Sequence, residues 1–132
     1  MSASSSGHIL IVEDDGDLLE VLRLMLEDEG YRVSTAERGA DALSAASLEG
    51  ITFILLDVSM PDISGIEVAR RLRADPRTRN IRLALHTGRP IAEIREQFTD
   101  YDAFIAKTES ADELMAAIKA AMSAPLRTAA PA

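Results

Sequence analysis

Runs of apolar residues alternate with amphipathic stretches along the whole chain. The runs at residues 9–12 and 51–56 are apolar at nearly every position, which is typical of strands buried on both faces of a parallel sheet. After the first run, apolar residues recur every three or four positions, as at Leu18, Leu22 and Leu26, which indicates an amphipathic helix. The pattern predicts strands and helices in alternation.

The predicted elements follow one another in a regular order. Strands are predicted over residues 9–13, 31–36, 51–57, 81–87 and 103–106, and helices over 17–28, 40–48, 64–74, a short stretch from 90, and 110–122. Gly30 is expected to end the first helix. Ser64 with Glu67, and Ser110 with Glu113, have the spacing of capping boxes. Five strands separated by helices predict an α/β domain with a doubly wound, five-stranded parallel sheet and helices on both faces.

Composition and charge narrow the class of protein. A chain of 132 residues, 47% of them apolar, is long enough for one domain with a core, predicted over residues 8–123 with flexible segments at 1–7 and 124–132. A formal charge of −8 argues against direct contact with nucleic acid or membrane. The absence of cysteine excludes disulfides and thiolate zinc sites. Without an apolar stretch of membrane-spanning length or a signal peptide, a cytoplasmic protein is expected.

Candidate chemistry lies at the ends of the predicted strands. Glu13 and Asp14 follow the first strand, Asp57 ends the third, and Thr87 and Lys107 follow at the ends of the fourth and fifth. The carboxyl ends of parallel strands meet at one edge, where such sheets bind ligands. Two carboxylates 4 Å apart repel by roughly 4 kcal/mol at an effective dielectric constant of 20, and a divalent cation removes that cost. All-oxygen ligands favour Mg²⁺, and an aspartate beside Mg²⁺, a hydroxyl and an ammonium is suited to accept a phosphoryl group.

Other residues near these strand ends are expected to be structural. Asp15 is placed to start the first helix rather than to bind a metal ion. His86 precedes Thr87 and is therefore expected to point away from the site, because side chains alternate along a strand. Gly65 is expected to shape the loop that follows Asp57.

These residues together resemble the receiver domain of two-component response regulators. The resemblance rests on the acidic pair Glu13-Asp14, the stretch DxxMPxxxG from Asp57 to Gly65, Thr87 and Lys107, and it covers roughly residues 8–123. It implies a flavodoxin-like fold with strand order 2-1-3-4-5. The resemblance also implies that Asp57 is the phosphoacceptor and that Asp14 binds Mg²⁺ directly. Glu13 would act through water and Ser59 through its backbone carbonyl.

The resemblance further implies a switch and its partners. Thr87 and Phe104 would be the switch residues, and Lys107 would contact the phosphoryl group. A sensor histidine kinase or a phosphotransfer protein would supply that group. A downstream protein would bind the face formed by the fourth helix, fifth strand and fifth helix. Such a domain is not an enzyme, although it can catalyse its own phosphorylation and dephosphorylation.

The chain departs from the family pattern in the region of that face. Thr108 stands where proline usually follows the lysine, Gly88 stands where alanine is common, and residues 99–103 replace a Gly-Ala turn. Without proline, a trans bond after Lys107 is favoured by several kcal/mol, so a displaced loop is expected. The long, flexible stem of Lys107 should still reach Asp57.

Three other functions are alternatives to this one. A haloacid-dehalogenase-like phosphatase needs a second acid two residues after the nucleophile, where this chain has Ser59. A flavin- or nucleotide-binding domain needs a phosphate loop after the first strand, where residues 13–15 are acidic. The remaining alternative is a receiver-like module that binds a protein independently of phosphorylation.

Overall fold

The computed structural model of the chain describes residues 7–48, 50–60, 62–107 and 110–124, which alternate between strand and helix. The strands are β1 (His8–Val12), β2 (Arg32–Ala36), β3 (Ile51–Asp57), β4 (Arg82–Thr87) and β5 (Ala103–Ala106). The helices are α1 (Gly16–Asp28), α2 (Gly39–Ala46), α3 (Gly65–Ala74), α4 (Ile91–Arg95) and α5 (Ala111–Ser123). No helix in these ranges is long and apolar enough to cross a membrane.

The five strands form one parallel sheet in the order β2-β1-β3-β4-β5, as predicted. Val12 pairs with Leu56, and Leu56 pairs with Leu85, so the central strands run nearly level to the carboxyl edge. Because the crossovers place the helices on both faces, β1 and β3 are covered on two sides. This explains why their sequences are continuous apolar runs.

Side chains that alternate along the strands build two core layers. One layer packs against α2, α3 and α4, and includes Leu10, Val12, Leu56, Val58, Leu83 and Leu85 from the sheet and its loops. The other packs against α1 and α5, and includes Ile9, Ile11, Phe53, Leu55, Ala84 and Ile105. Because side chains alternate along a strand, these two layers show on which face of the sheet each later residue of the strand lies. The same alternation applies to the polar side chains at the carboxyl edge.

The helix ends follow from local chemistry, with one exception. Gly30 adopts a φ of 99° just after α1, as expected of a glycine that stops a helix. The Ser64 hydroxyl caps α3 by accepting from the N–H of Ile66 at 3.1 Å. Glu67, predicted to complete a capping box, instead accepts from Nε of Arg71 at 2.9 Å. The charged partner one turn later in the helix is a stronger donor than a neutral backbone amide.

Candidate functional site

One row of the sheet brings the central acids together at the carboxyl edge. Asp57 and His86 are direct neighbours on β3 and β4, and Glu13 follows Val12, the neighbour of Leu56, on β1. Glu13, Asp57 and His86 continue the alternation of the layer that packs against α1 and α5. Glu13 and Asp57 are each only 1% exposed. The topology has therefore buried two carboxylates side by side.

Asp14 completes an acidic cluster with these two residues. Glu13, Asp14 and Asp57 each offer one carboxylate oxygen, and the three oxygens lie within 4.8 Å of one another. Across the described ranges, no other group of three or more acidic, histidine or cysteine residues comes together in this way. Asp14 is exposed, so the cluster opens to solvent on its side. The sequence-predicted acids thus converge on a single open pocket.

Lys107 faces this cluster from the end of β5. Its Nζ atom donates to Oδ2 of Asp57 at 3.1 Å and lies 3.9 Å from the Glu13 carboxylate. The other oxygen of Asp57, Oδ1, accepts from the backbone N–H of Ser59 at 2.9 Å. The expected approach of Lys107 to Asp57 is therefore present. Thr108, and with it the predicted trans bond and displaced loop, lies outside the described residues.

The pocket holds three carboxylates beside one ammonium group, and two of the carboxylates are buried. Burial, together with the adjacent Glu13 carboxyl, raises the pKa of Asp57 above its usual value, although the Ser59 amide and Lys107 oppose the shift. Burial alone would lower the pKa of Lys107. Its hydrogen bond to Asp57 and the charges of the acids outweigh burial and raise that pKa instead. One ammonium ion therefore stabilises the pocket only in part.

The residues present fit a hard divalent cation. Oε1 of Glu13 is buried and has no hydrogen-bond partner in the described structure, although a buried carboxylate oxygen normally requires one. All the available ligand atoms of the cluster are oxygens, and exposed Asp14 leaves room for the water ligands that Mg²⁺ retains. Glu13, Asp14 and Asp57 could together hold such an ion.

Asp15 has a different task from its two acidic neighbours, as predicted. Its side chain caps α1 by accepting from the N–H groups of Asp17 and Leu18 at 3.1 and 3.2 Å. Its own N–H donates to Oε2 of Glu13 at 3.2 Å. The cap therefore fixes which of the consecutive acids turns toward the pocket.

Two residues hold the loop that follows Asp57. A Cβ atom on Gly65 would lie 2.4 Å from the carbonyl oxygen of Asp57 and 2.5 Å from Cα of Val58, so only glycine fits there. The carboxylate of Asp62 accepts from the N–H groups of Gly39 and Ala40 at 2.8 and 3.1 Å and so caps α2. These backbone hydrogen bonds lower the pKa of Asp62 to about 2. Gly65 was predicted from the sequence, whereas the contact of Asp62 spans too many residues for a local pattern to reveal it.

Thr87 and Phe104, the predicted switch residues, lie on the opposite face of the sheet from Asp57. Thr87 is buried, and its hydroxyl accepts from the N–H of Arg89 at 3.0 Å. Phe104 is half-buried, with its ring centroid 6.2 Å from that of Tyr101. The Thr87 hydroxyl is thus held by a backbone amide, and the Phe104 ring lies beside that of Tyr101.

His86 corrects an expectation from the sequence. It was predicted to point away from the site, but its ring is buried and Nδ1 lies 3.7 Å from Oε1 of Glu13. His86 and Thr87 do face opposite sides of the sheet, as alternation along a strand requires. The prediction was wrong because it placed the acids on the side of Thr87, whereas Asp57 pairs with His86 and lies on its side.

A second buried ionic group lies away from the site, where the chain departs from the family pattern. Arg73 of α3 pairs with Asp102 at 2.9 Å, and the two side chains are 8% and 7% exposed. The guanidinium also donates to the backbone carbonyls of Arg79, Ile81 and Asp100 at 2.7–2.8 Å. The Asp102 carboxylate also accepts from the backbone N–H of Leu83, the second residue of β4, at 2.8 Å. This network, which the sequence did not reveal, ties residues 99–103 to α3.

The comparisons with known proteins agree with this fold. The family model described as the response regulator receiver domain matches residues 9–119. The chain therefore belongs to the receiver-domain family of two-component response regulators, and an acidic pocket is present in it.

Two curated relatives are transcriptional regulatory proteins of about twice this length. The uncharacterized transcriptional regulatory protein YkoG of Bacillus subtilis is 40% identical over 121 residues, which are 88% of this chain and 51% of that protein. The phosphate regulon transcriptional regulatory protein PhoB of Rhizobium meliloti is 37% identical over 114 residues, which are 85% of this chain and 50% of that protein. The chain thus spans about half the length of the curated relatives it matches.

Solved structures of similar proteins include two that contain magnesium. The response regulator TrrA of Thermotoga maritima, in complex with Mg(2+)-BeF, is 30% identical with a TM-score of 0.74, covering 87% of this chain and 98% of that one. The receiver domain of a sensor histidine kinase from Pseudomonas aeruginosa has a magnesium ion coordinated in its active-site cleft. It is 26% identical with a TM-score of 0.76, covering 89% of this chain and 98% of that one.

Proposed function

We propose that this domain accepts a phosphoryl group on Asp57, with Mg²⁺, from a sensor histidine kinase or a phosphotransfer protein. The observation that carries the proposal is the buried Asp57 carboxylate, clustered with Glu13 and Asp14 and hydrogen-bonded to Lys107 at 3.1 Å. A carboxylate held at that point meets both requirements of phosphoryl transfer, which are a positioned nucleophile and positive charge around the transferred group.

In the transfer step, a carboxylate oxygen of Asp57 forms a bond to phosphorus as the phosphorus–nitrogen bond of the donor phosphohistidine breaks. The electron pair leaves with the imidazole. Asp14, Asp57 and the backbone carbonyl of Ser59 would hold Mg²⁺ directly, and Glu13 would hold it through water. The ion supplies positive charge that offsets the charge of the phosphoryl oxygens.

Lys107 and Thr87 stabilise the transferred group in this proposal. The Lys107 ammonium, already bonded to Asp57, is close enough to contact a phosphoryl oxygen. Thr87 would exchange its hydrogen bond from the Arg89 amide for one to the phosphoryl group. That movement would open space for the half-buried ring of Phe104, and so would alter the face formed by α4, β5 and α5, where a downstream protein binds.

The rest of the proposal follows from the family. The domain acts in the cytoplasm, and its catalysis is limited to its own phosphorylation and dephosphorylation. Its net charge of −8 favours protein partners over direct contact with nucleic acid or membrane.

Phosphorylation is tested by the intact mass of the protein after incubation with acetyl phosphate. The wild type should gain one phosphoryl group when Mg²⁺ is present and much less when it is chelated. Asp57→Asn should gain none, while Asp15→Asn, altered at the helix cap, should be labelled like the wild type. Equal labelling of the wild type and Asp57→Asn would refute the proposal.

A second candidate is a receiver-like module that binds its protein partner independently of phosphorylation. The Arg73 network favours it, because it anchors residues 99–103 just before β5, on the face that would have to move. Amide resonances recorded with Mg²⁺ and beryllofluoride separate the two. Shifts that extend to α4, β5 and α5 support the switch, and shifts confined to the pocket support the second candidate.

A further inference from the structure

His86 is buried beside Glu13 and Asp57 at the carboxyl edge of the sheet, but it has no role in the proposed phosphoryl transfer. It is 2% exposed and is the direct neighbour of Asp57 across β3 and β4. Its Nδ1 atom lies 3.7 Å from Oε1 of Glu13, about 0.8 Å beyond the usual hydrogen-bond length. Oε1 of Glu13 and Nε2 of His86 have no hydrogen-bond partner in the described structure.

The two oxygens of Glu13 are therefore in different surroundings. Oε2 accepts from the N–H of Asp15 at 3.2 Å and faces the ammonium of Lys107. Oε1 faces the imidazole of His86. The Asp15 amide restrains the carboxylate only through Oε2. A contact on Oε1 would restrain the other side of the group and, because a carboxylate oxygen has two acceptor positions, would still leave Oε1 able to face the pocket. His86 is placed to make that contact.

We propose that His86 is a positioning residue that fixes Glu13 so that its carboxylate faces the cation pocket formed with Asp14 and Asp57. The inference rests on the proposed function, because it concerns how that pocket binds Mg²⁺. His86 contacts no substrate and no ion in this account; it acts through Glu13. Partners that orient the groups around a metal typically change metal affinity by about 10–100-fold, and His86, one contact further away, should have a smaller effect.

The test measures binding of Mg²⁺ alone to the full chain by calorimetry. His86→Leu, which keeps the bulk and removes the polar atoms, should weaken binding about three- to tenfold. His86→Asn should restore most of the affinity, because its amide nitrogen is as many bonds from Cα as Nδ1 is. The matched control is His8→Leu, which alters the other buried histidine, at the opposite edge of the sheet and bonded to Ser34. It should bind like the wild type.

A double-mutant comparison shows whether the effect passes through Glu13. In a Glu13→Ala background, which removes both carboxylate oxygens, His86→Leu should cause no further loss of affinity. The ring nitrogen resonances of His86 in the wild type should also shift during the Mg²⁺ titration while those of His8 stay in place, a readout that does not depend on the variants folding.

The outcomes separate this inference from the function on which it rests. A wild type that does not bind Mg²⁺ would refute the proposed function. A wild type that binds Mg²⁺ while His86→Leu binds it equally well or more tightly would refute only the role of His86. A further loss in the Glu13→Ala background would also refute it, since His86 would then act by another route.

Discussion

Two buried ionic groups, one at the carboxyl edge and one beneath residues 99–103, are built in opposite ways. At the edge, Glu13, Asp14 and Asp57 share the single ammonium of Lys107, and one carboxylate oxygen has no hydrogen-bond partner in the described structure. Beneath residues 99–103, Arg73 meets the Asp102 carboxylate at 2.9 Å, the Asp100 carboxylate at 3.9 Å and three backbone carbonyls. The first arrangement is short of positive charge and can bind a cation, whereas the second is satisfied and can only hold structure.

The largest effect is expected where the satisfied group is broken. Arg73→Met should lower the free energy of unfolding by about 3–5 kcal/mol, because it removes a buried guanidinium that pairs with the buried Asp102 carboxylate and bonds three backbone carbonyls. Arg71→Met is the control: Arg71 is 53% exposed and pairs with Glu67 on the surface, so its loss should cost less than about 1 kcal/mol. Chemical denaturation of both variants gives the comparison. Similar losses for the two would show that the Arg73 network is not the structural group described.

Gly65→Ala should come next, because it strains the loop that carries the site. The new Cβ would meet backbone atoms at 2.4–2.5 Å, which cannot be relieved by a side-chain rotation. We expect a loss of about 1–3 kcal/mol in unfolding free energy and weaker labelling by acetyl phosphate. Gly88→Ala, where a Cβ would have no atom within 4 Å, should be nearly neutral in both measurements. Full labelling of Gly65→Ala would show that the loop tolerates the shift.

Asp14→Ala should weaken Mg²⁺ binding by at least about tenfold without a comparable loss of stability. Asp14 is exposed and belongs to the acidic cluster, so removing it would take away a proposed ligand but little packing. Asp15→Ala should retain Mg²⁺ affinity and instead lower the unfolding free energy by about 1 kcal/mol, because it removes the cap of α1. Titration of both variants with Mg²⁺ checks this, and equal losses of affinity would place the wrong acid in the pocket.

The smallest effect is a gain in stability on removing the central charge. The pKa of Asp57 is raised in the folded protein, so folding is favoured while the carboxyl is protonated and disfavoured as pH rises through that raised value. Without divalent cations at neutral pH, Asp57→Asn should therefore melt a few degrees higher than the wild type. The difference should shrink on acidification. A variant that melts lower than the wild type would mean that Asp57 stabilises the fold.

The alternating elements and the residues at the strand ends were predictable because they depend on local patterns, whereas the strand order was predicted from the resemblance to receiver domains. Apolar runs located β1 and β3, and the residues that follow them, Glu13, Asp14 and Asp57, came together as parallel topology requires. The sequence was wrong about His86 because the face of a residue depends on the register between strands. The capping-box prediction for Glu67 was wrong because the Arg71 guanidinium, rather than the backbone N–H of Ser64, donates to its carboxylate.

The contacts that the sequence did not reveal are long-range. Asp62 binds backbone groups of α2, and Asp102 binds Arg73 of α3, each more than twenty residues away along the chain. Neither lies in a periodic pattern or a short motif, so an acidic loop residue of this kind is indistinguishable in sequence from a solvated one. Only the packing of the helices on the sheet determines these partners.

The proposed function requires that the phosphoryl group be carried by Asp57 rather than by another acid of the pocket. The most direct test treats the acetyl phosphate-labelled protein with borohydride, which reduces an aspartyl phosphate to homoserine, and then locates the reduced residue by peptide mass spectrometry. We predict homoserine at position 57 in the presence of Mg²⁺. Homoserine at position 14, or the reduced form of glutamate at position 13, would contradict the account.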